Sequence, residues 1–238
     1  LAHVGTYASQ EDAASPVHLA DVGGIQVAFL GYTYGTNGIP LPDGKEYAVS
    51  LFNTDYMTSL STLDTGKLEA DLAAARALEP DLIAVMIHWG VEYQTRQNSY
   101  QEEIADLLIS HGANLVLGGH SHVPQPMEER TVTGWDGAER TGFVCYSLGN
   151  FISSQVDPLT DTTAALTLEL TKDHGTGETT VTGWTYAPML MVRRDGTERV
   201  FTLTDASVLP AGADQALVDR LEEAAETCRE IFGPESVS

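Results

Sequence analysis

Short apolar runs alternate with stretches of helical periodicity along the first part of the chain, and this alternation limits the fold more than any other feature. Residues 82–87 and 115–117 are unbroken apolar runs of strand length, residues 25–30 are nearly so, and residues 143–146 supply a fourth. Such runs suit strands covered on both faces, as in a parallel sheet. Between residues 25–30 and 82–87, Leu68, Leu72, Ala75 and Leu78 recur at helical spacing, with Pro80 just beyond them. Before residues 115–117, Tyr100, Ile104, Leu107 and Leu108 form an apolar stripe. Ser99 and Glu102 read as its capping box, and Gly112 stands where a C-terminal cap belongs. Strand, helix and second buried strand make a crossover that sets the strands parallel in one sheet. Two successive crossovers bring three carboxyl ends to one rim, where ligand crevices of open α/β sheets form.

Each strand delivers a distinctive segment to that rim. Residues 25–30 run into a Gly- and Tyr-containing loop at 31–38, residues 82–87 into His88-Trp89-Gly90-Val91-Glu92-Tyr93, and residues 115–117 into Gly118-Gly119-His120-Ser121-His122. The topology therefore predicts that His88, His120 and His122 meet. Neutral imidazole is a good ligand for first-row metals, and two histidines one residue apart can face one ion or straddle two. A lone histidine at a strand end is more often a surface or core residue, so the joint arrangement carries the metal reading. Gly90, Gly118 and Gly119 let the backbone turn sharply or approach an ion closely. Glu92 fits a supporting carboxylate, a general base or a solvated surface residue. Trp89 and Tyr93 either line a pocket or simply pack. Asn150 either binds a ligand or forms a turn after Gly149. His3, His18, His111 and His174 read as structural or surface residues, with His111 placed to meet a helix dipole.

Beyond the rim, residues 163–170, 179–186 and 199–203 read as antiparallel strands, and Leu217, Leu221, Ala225 and Cys228 share one helical face. The expectation is a single domain over residues 1–238, large enough for a sizeable core at 42% hydrophobic residues. No run of about eighteen apolar residues occurs, so no membrane span is expected. A formal charge of −22, from 34 acidic against 12 basic side chains, disfavours nucleic acid and anionic lipid as partners. Cys145 and Cys228 read as buried free thiols. The opening at Leu1, within a polar stretch, reads as a piece of a longer protein.

Three segments together resemble the CapA family of bacterial capsule and poly-γ-glutamate synthesis proteins, within the calcineurin-like metallophosphoesterase superfamily. They are the segment at residues 88–93, Gly119-His120-Ser121-His122-Val123-Pro124-Gln125-Pro126, and Tyr146-Ser147-Leu148-Gly149-Asn150-Phe151-Ile152; residues 25–38 share the likeness. The resemblance implies an α/β fold, a four-layer αββα metallophosphoesterase-like sandwich, incomplete here at its amino terminus. It implies two divalent metal ions (Mn, Fe or Zn), with His88 and His120 on one and His122 on its neighbour, clamping a phosphoryl oxygen. His88, His120, His122 and Glu92 are then the catalytic set. The family's amino-terminal Asp, bridging Asp and Asn-His motifs have no counterpart in this sequence, so the expectation is weak metal binding and no activity from this piece alone. The implied substrate is a phosphoester or an anionic polymer, at the cell envelope or its outer side, with any membrane anchor upstream. Two alternatives stand beside it. One is a non-catalytic component that binds or exports an anionic capsular polymer, helped by a basic strip at Arg193, Arg194 and Arg199; the other is a metal-dependent amide hydrolase acting on that polymer.

Overall fold

The structure is a computed structural model and describes residues 2–194, 197–202 and 215–236, with side chains described to residue 192 and again from 215. In chain order the elements are a single helical turn α1 (Gln10–Ala13), β1 (His18–Val22), β2 (Ile25–Thr33), α2 (Thr65–Arg76), β3 (Leu82–His88), α3 (Ser99–Ser110) and β4 (Leu115–Gly119). There follow β5 (Pro124–Thr133), β6 (Glu139–Leu148), β7 (Thr162–Lys172), β8 (Thr179–Arg194), β9 (Thr197–Thr202) and α4 (Gln215–Phe232). A six-stranded sheet has the order β1-β2-β3-β4-β6-β5, and a three-stranded antiparallel sheet the order β7-β8-β9. The four inner strands β2, β3, β4 and β6 are parallel, as the apolar runs require.

The two faces of β3 explain its composition. Ile83 and Val85 point into a core with Leu68, Leu72 and Ala75 of α2, Ile104 and Leu108 of α3, and Ala28, Leu30, Val116 and Val144 of the sheet. Leu82 and Ala84 face the other way, into a second core with Val27, Leu115, Phe143 and Cys145. That core is closed by Ala164, Leu166 and Leu168 of β7, Trp184 and Tyr186 of β8, and Cys228 and Phe232 of α4. The Phe143 and Trp184 rings meet at 5.0 Å between centroids, so the two sheets pack face to face. Helices, sheet and second sheet thus follow one another in a mixed α/β fold, with α4 seated against β5, β7 and β8. Cys145 and Cys228 are buried free thiols, and no described helix is long and apolar enough to cross a membrane.

Several local expectations shift. The α3 capping box uses Asn98 and Gln101 rather than Ser99 and Glu102: the Asn98 side chain accepts from the Gln101 N–H, and the Gln101 side chain accepts from the Asn98 N–H. Gln101 is the better partner because its amide is also held inside the protein by Gln125, at 3.0 Å. Leu78 lies beyond the end of α2 and is half exposed, since Glu79 turns left-handed (φ 51°) ahead of Pro80. On α4 the buried alanine is Ala224, with Ala225 beside it at partial exposure. Two hairpins escaped the pattern reading. Gly23 and Gly24, both at positive φ, close β1 onto β2. The charged tract at residues 128–130 conceals β5, an edge strand whose Glu and Arg side chains stay near solvent. β8 runs on past Tyr186 to Arg194, and Leu203 lies outside the described residues.

Candidate metal centre at the strand rim

Register places the rim. Thr33 pairs with His88, and His88 with Gly119, so β2, β3 and β4 end level. The loops beyond are tied by backbone bonds: the Trp89 N–H donates to the Gly119 carbonyl (3.1 Å), and the Tyr93 N–H to that of Ser121 (2.8 Å). The His88 and His120 rings come to 4.5 Å between centroids, and His120 and His122 to 5.9 Å. One rim therefore carries all three imidazoles.

The closest set of donors is not the three histidines. Ligand atoms of Glu92, His120 and His122 lie within 4.8 Å of one another. Glu92 Oε1 stands 3.5 Å from His122 Nε2, so the carboxylate faces the rim, while His88 lies beside His120 at the edge of this group. Tyr34, which pattern reading left within an undivided loop, stacks on His88 at 5.7 Å and 9°, and lies 4.7 Å from His120. Buried Asn53 holds Tyr34 in place by donating from Nδ2 to its carbonyl oxygen (3.2 Å). Asn150 reaches His122 Nδ1 through Oδ1 at 3.0 Å. Fully buried Gln125 donates to the carbonyls of Gln94 (2.8 Å) and Arg96 (3.2 Å), which fastens the loop bearing Glu92 to the strand that follows His122.

Backbone strain gathers here. His120 (φ 109°), His122 (φ 63°) and Tyr93 (φ 64°) occupy the left-handed region that side chains disfavour, at roughly 1–3 kcal/mol each. The expected glycine roles divide. Gly90 has φ 88° and faces the Gln101 amide at 2.8 Å from where a Cβ would stand, so it is required. Gly118 is required for a reason unrelated to ions: a Cβ there would lie 2.2 Å from the Tyr146 carbonyl oxygen and 2.3 Å from Trp89 Nε1. Trp89 is buried, and its Nε1–H donates to that same carbonyl at 2.9 Å. It packs rather than lining a pocket. At Gly119 an added Cβ meets no protein atom within 4 Å and φ is not left-handed, so the sharp-turn role does not apply there.

Two of the imidazoles, His88 and His120, are pushed toward the neutral form. Burial pushes the pKa of His120 down to about 4, aided by His88 and opposed by Glu92. His88 is lowered by desolvation first and by His122 second. An unfolded imidazole takes up its proton near the ordinary value of about 6.5, so between that pH and about 4 the unfolded chain binds protons that the native one refuses. Stability of metal-free protein should therefore fall as pH is lowered through this window. Urea midpoints at pH 7.5 and pH 5 in chelator will check the sign, and equal midpoints would contradict it. Outside the rim, His111 caps α3 and stacks on Trp135 at 5.9 Å, while His3, His18 and His174 are exposed. The side chains of Arg193, Arg194 and Arg199 lie outside the described residues.

Residues 1–155 match the family model described as bacterial capsule synthesis protein PGA_cap. The three motif segments that carried the CapA resemblance fall inside that match. The chain is 30% identical over 185 residues to PGA biosynthesis protein CapA of Bacillus subtilis, covering 75% of this chain and 41% of the relative. It is 28% identical over 176 residues to capsule biosynthesis protein CapA of Bacillus anthracis, covering 74% and 38%. It thus spans about two fifths of the length of these curated relatives. A crystal structure of a 5'-nucleotidase candidate from Staphylococcus aureus aligns over 87% of this chain and 33% of its own, at 16% identity and a TM-score of 0.41.

Proposed function

Because this chain belongs to the bacterial capsule synthesis protein PGA_cap family, we propose that it carries the histidine rim of a metal-dependent phosphoesterase-like hydrolase serving capsule or poly-γ-glutamate synthesis at the cell envelope. The observation that carries this reading is the meeting of His120, His122 and Glu92 donors within 4.8 Å, with His88 alongside. Two imidazoles and a carboxylate suit Mn, Fe or Zn, and the donor set fits such an ion. A divalent ion bound there would supply Lewis-acid polarisation of a phosphoryl oxygen and a lowered pKa for water.

The chain's own residues do the rest. His120 presents a nitrogen lone pair because burial, aided by His88, keeps it neutral at ordinary pH, and the His122 ring stands 5.9 Å from it. Glu92 brings a negative charge within reach of both and offsets part of a divalent charge. Tyr34 stacks on His88 and lies against His120, packing the rim on the β2 side. A protein of the relatives' length should hydrolyse a generic phosphomonoester or phosphodiester when Mn is added, lose the activity in EDTA and regain it with metal. Metal-loaded protein that is inert against a broad panel would refute this.

The names of the two Bacillus relatives favour a second reading, in which the fold handles the anionic polymer itself. A charge of −22 opposes direct contact with a polyanion unless metal bridges the two. Retention on poly-γ-glutamate that appears only with divalent metal, and weakens with salt, would support the polymer reading over the phosphoester one.

A further inference from the structure

We propose that Asn150 is a positioning residue that sets the tautomer of His122 and thereby aims the Nε2 lone pair into the rim. The proposal deepens the metal reading and rests on His122 facing the ion through Nε2. Its basis is which partner of the Asn150 amide can only accept. Nδ2 lies 3.2 Å from the Thr160 carbonyl oxygen and 2.8 Å from Gln155 Oε1. A backbone carbonyl has no hydrogen to give, so the NH2 end must face Thr160, and the oxygen end must face His122. Oδ1 then stands 3.0 Å from His122 Nδ1. An amide oxygen likewise only accepts, so the ring nitrogen opposite it carries the hydrogen. In neutral imidazole that leaves the lone pair on Nε2.

The opposite tautomer is the poorer arrangement. It would set two lone pairs against each other at 3.0 Å, in exchange for an Nε2–H contact to Glu92 Oε1 at 3.5 Å. The first is an ordinary hydrogen-bond distance and the second lies at the outer limit, so the Asn150 contact decides. The amide itself is well anchored. Gly149 (φ 84°) turns the chain beside Thr162, with room for no Cβ (2.6 Å to the Thr162 carbonyl oxygen), and Thr160 is fully buried. Gln155 extends the same network to the rim loop by donating from Nε2 to the Tyr93 hydroxyl (3.2 Å). Asn150 thus acts on the site through His122, and its own donors are used by the loop that follows β6.

Long-range 1H–15N correlation spectra of the metal-free chain, 15N-labelled at histidine, read the tautomer directly at about pH 8, above the ordinary imidazole pKa of about 6.5. The His122 signals are assigned by their loss in His122→Gln. The expected result is Nδ1–H in the wild type, retained in Asn150→Asp, and displaced toward Nε2–H in Asn150→Leu. The aspartate keeps an acceptor opposite Nδ1, and Gln155 can turn its amide to meet it; the Thr160 carbonyl loses its donor in both variants, so tautomer and zinc affinity, not stability, are the readouts. Zinc affinity should fall about 10–100-fold in Asn150→Leu, as for other residues that orient a ligating histidine, and stay within a few-fold in Asn150→Asp. A wild-type His122 bearing its proton on Nε2 would overturn the proposal even if the leucine variant does not fold. An unchanged tautomer in folded Asn150→Leu would overturn it too. Nδ1–H in a wild type that takes up no zinc would sink the metal reading and leave the Asn150 assignment standing.

Discussion

Gly118→Ala is expected to destabilise the chain by about 3–5 kcal/mol, while Gly119→Ala, one residue on, should change stability by roughly 0.5 kcal/mol or less. The new methyl at 118 would fall 2.2 Å from the carbonyl oxygen of Tyr146, which belongs to the neighbouring strand β6, and backbone paired within a sheet yields little. The other neighbour, Trp89 Nε1 at 2.3 Å, belongs to a ring that is 1% exposed. Relaxation therefore has to displace the indole, which strains a packed core and leaves its buried N–H without the Tyr146 carbonyl, each at about 1–3 kcal/mol. A loss of this size is a large share of the roughly 5–15 kcal/mol by which most domains are stable. Urea denaturation of the two variants side by side is the measurement. Trp89→Leu should restore part of the loss in a Gly118→Ala background, because the two changes share one space. Equal midpoints for Gly118→Ala and Gly119→Ala would show that the Trp89 contact is not what demands glycine.

The second large effect concerns His120, where geometry and chemistry pull in opposite directions. At φ 109° its backbone suits glycine, so His120→Gly should relieve roughly 1–3 kcal/mol of strain against about 0.5–1 kcal/mol of added chain entropy. Stability of the metal-free protein should then hold or rise. Uptake of zinc or manganese should collapse in the same variant, by more than the roughly 10–100-fold that changes behind a ligand produce. Any metal-dependent hydrolysis by a protein of the relatives' length should go with it. Titration against a chromophoric chelator, alongside thermal melts in EDTA, separates the two effects. Affinity kept within a few-fold would remove His120 from the ligand set. A marked loss of apo stability would instead make its strained conformation incidental to the site.

The parallel sheet was legible because burial on both faces is written into a strand as unbroken hydrophobicity, and residues 82–87 carry nothing else. Rings of residues 88, 120 and 122 gather at one rim for the same reason, since crossovers of fixed hand leave the carboxyl ends level. β5 was not legible: an edge strand tolerates Glu129 in solvent and the partly buried, ion-paired Glu128 and Arg130 on its other face, and so loses the mark by which an inner strand is known. The capping box moved by one residue because Gln101 serves two partners at once, and its second partner, Gln125, is distant in sequence.

Chain order alone determined which strands are interior, where their carboxyl ends lie and that histidines stand there, because hydrophobic periodicity and crossover handedness act over short stretches of chain. Tertiary structure alone decided what surrounds those histidines. Glu92 joins the pair His120 and His122, Tyr34 covers His88, and Asn150 governs the hydrogen on His122, each through contacts between loops whose approach no local pattern encodes. Side-chain direction in a loop follows from backbone angles, and those angles, left-handed at His120 and His122, are imposed by the packing around them.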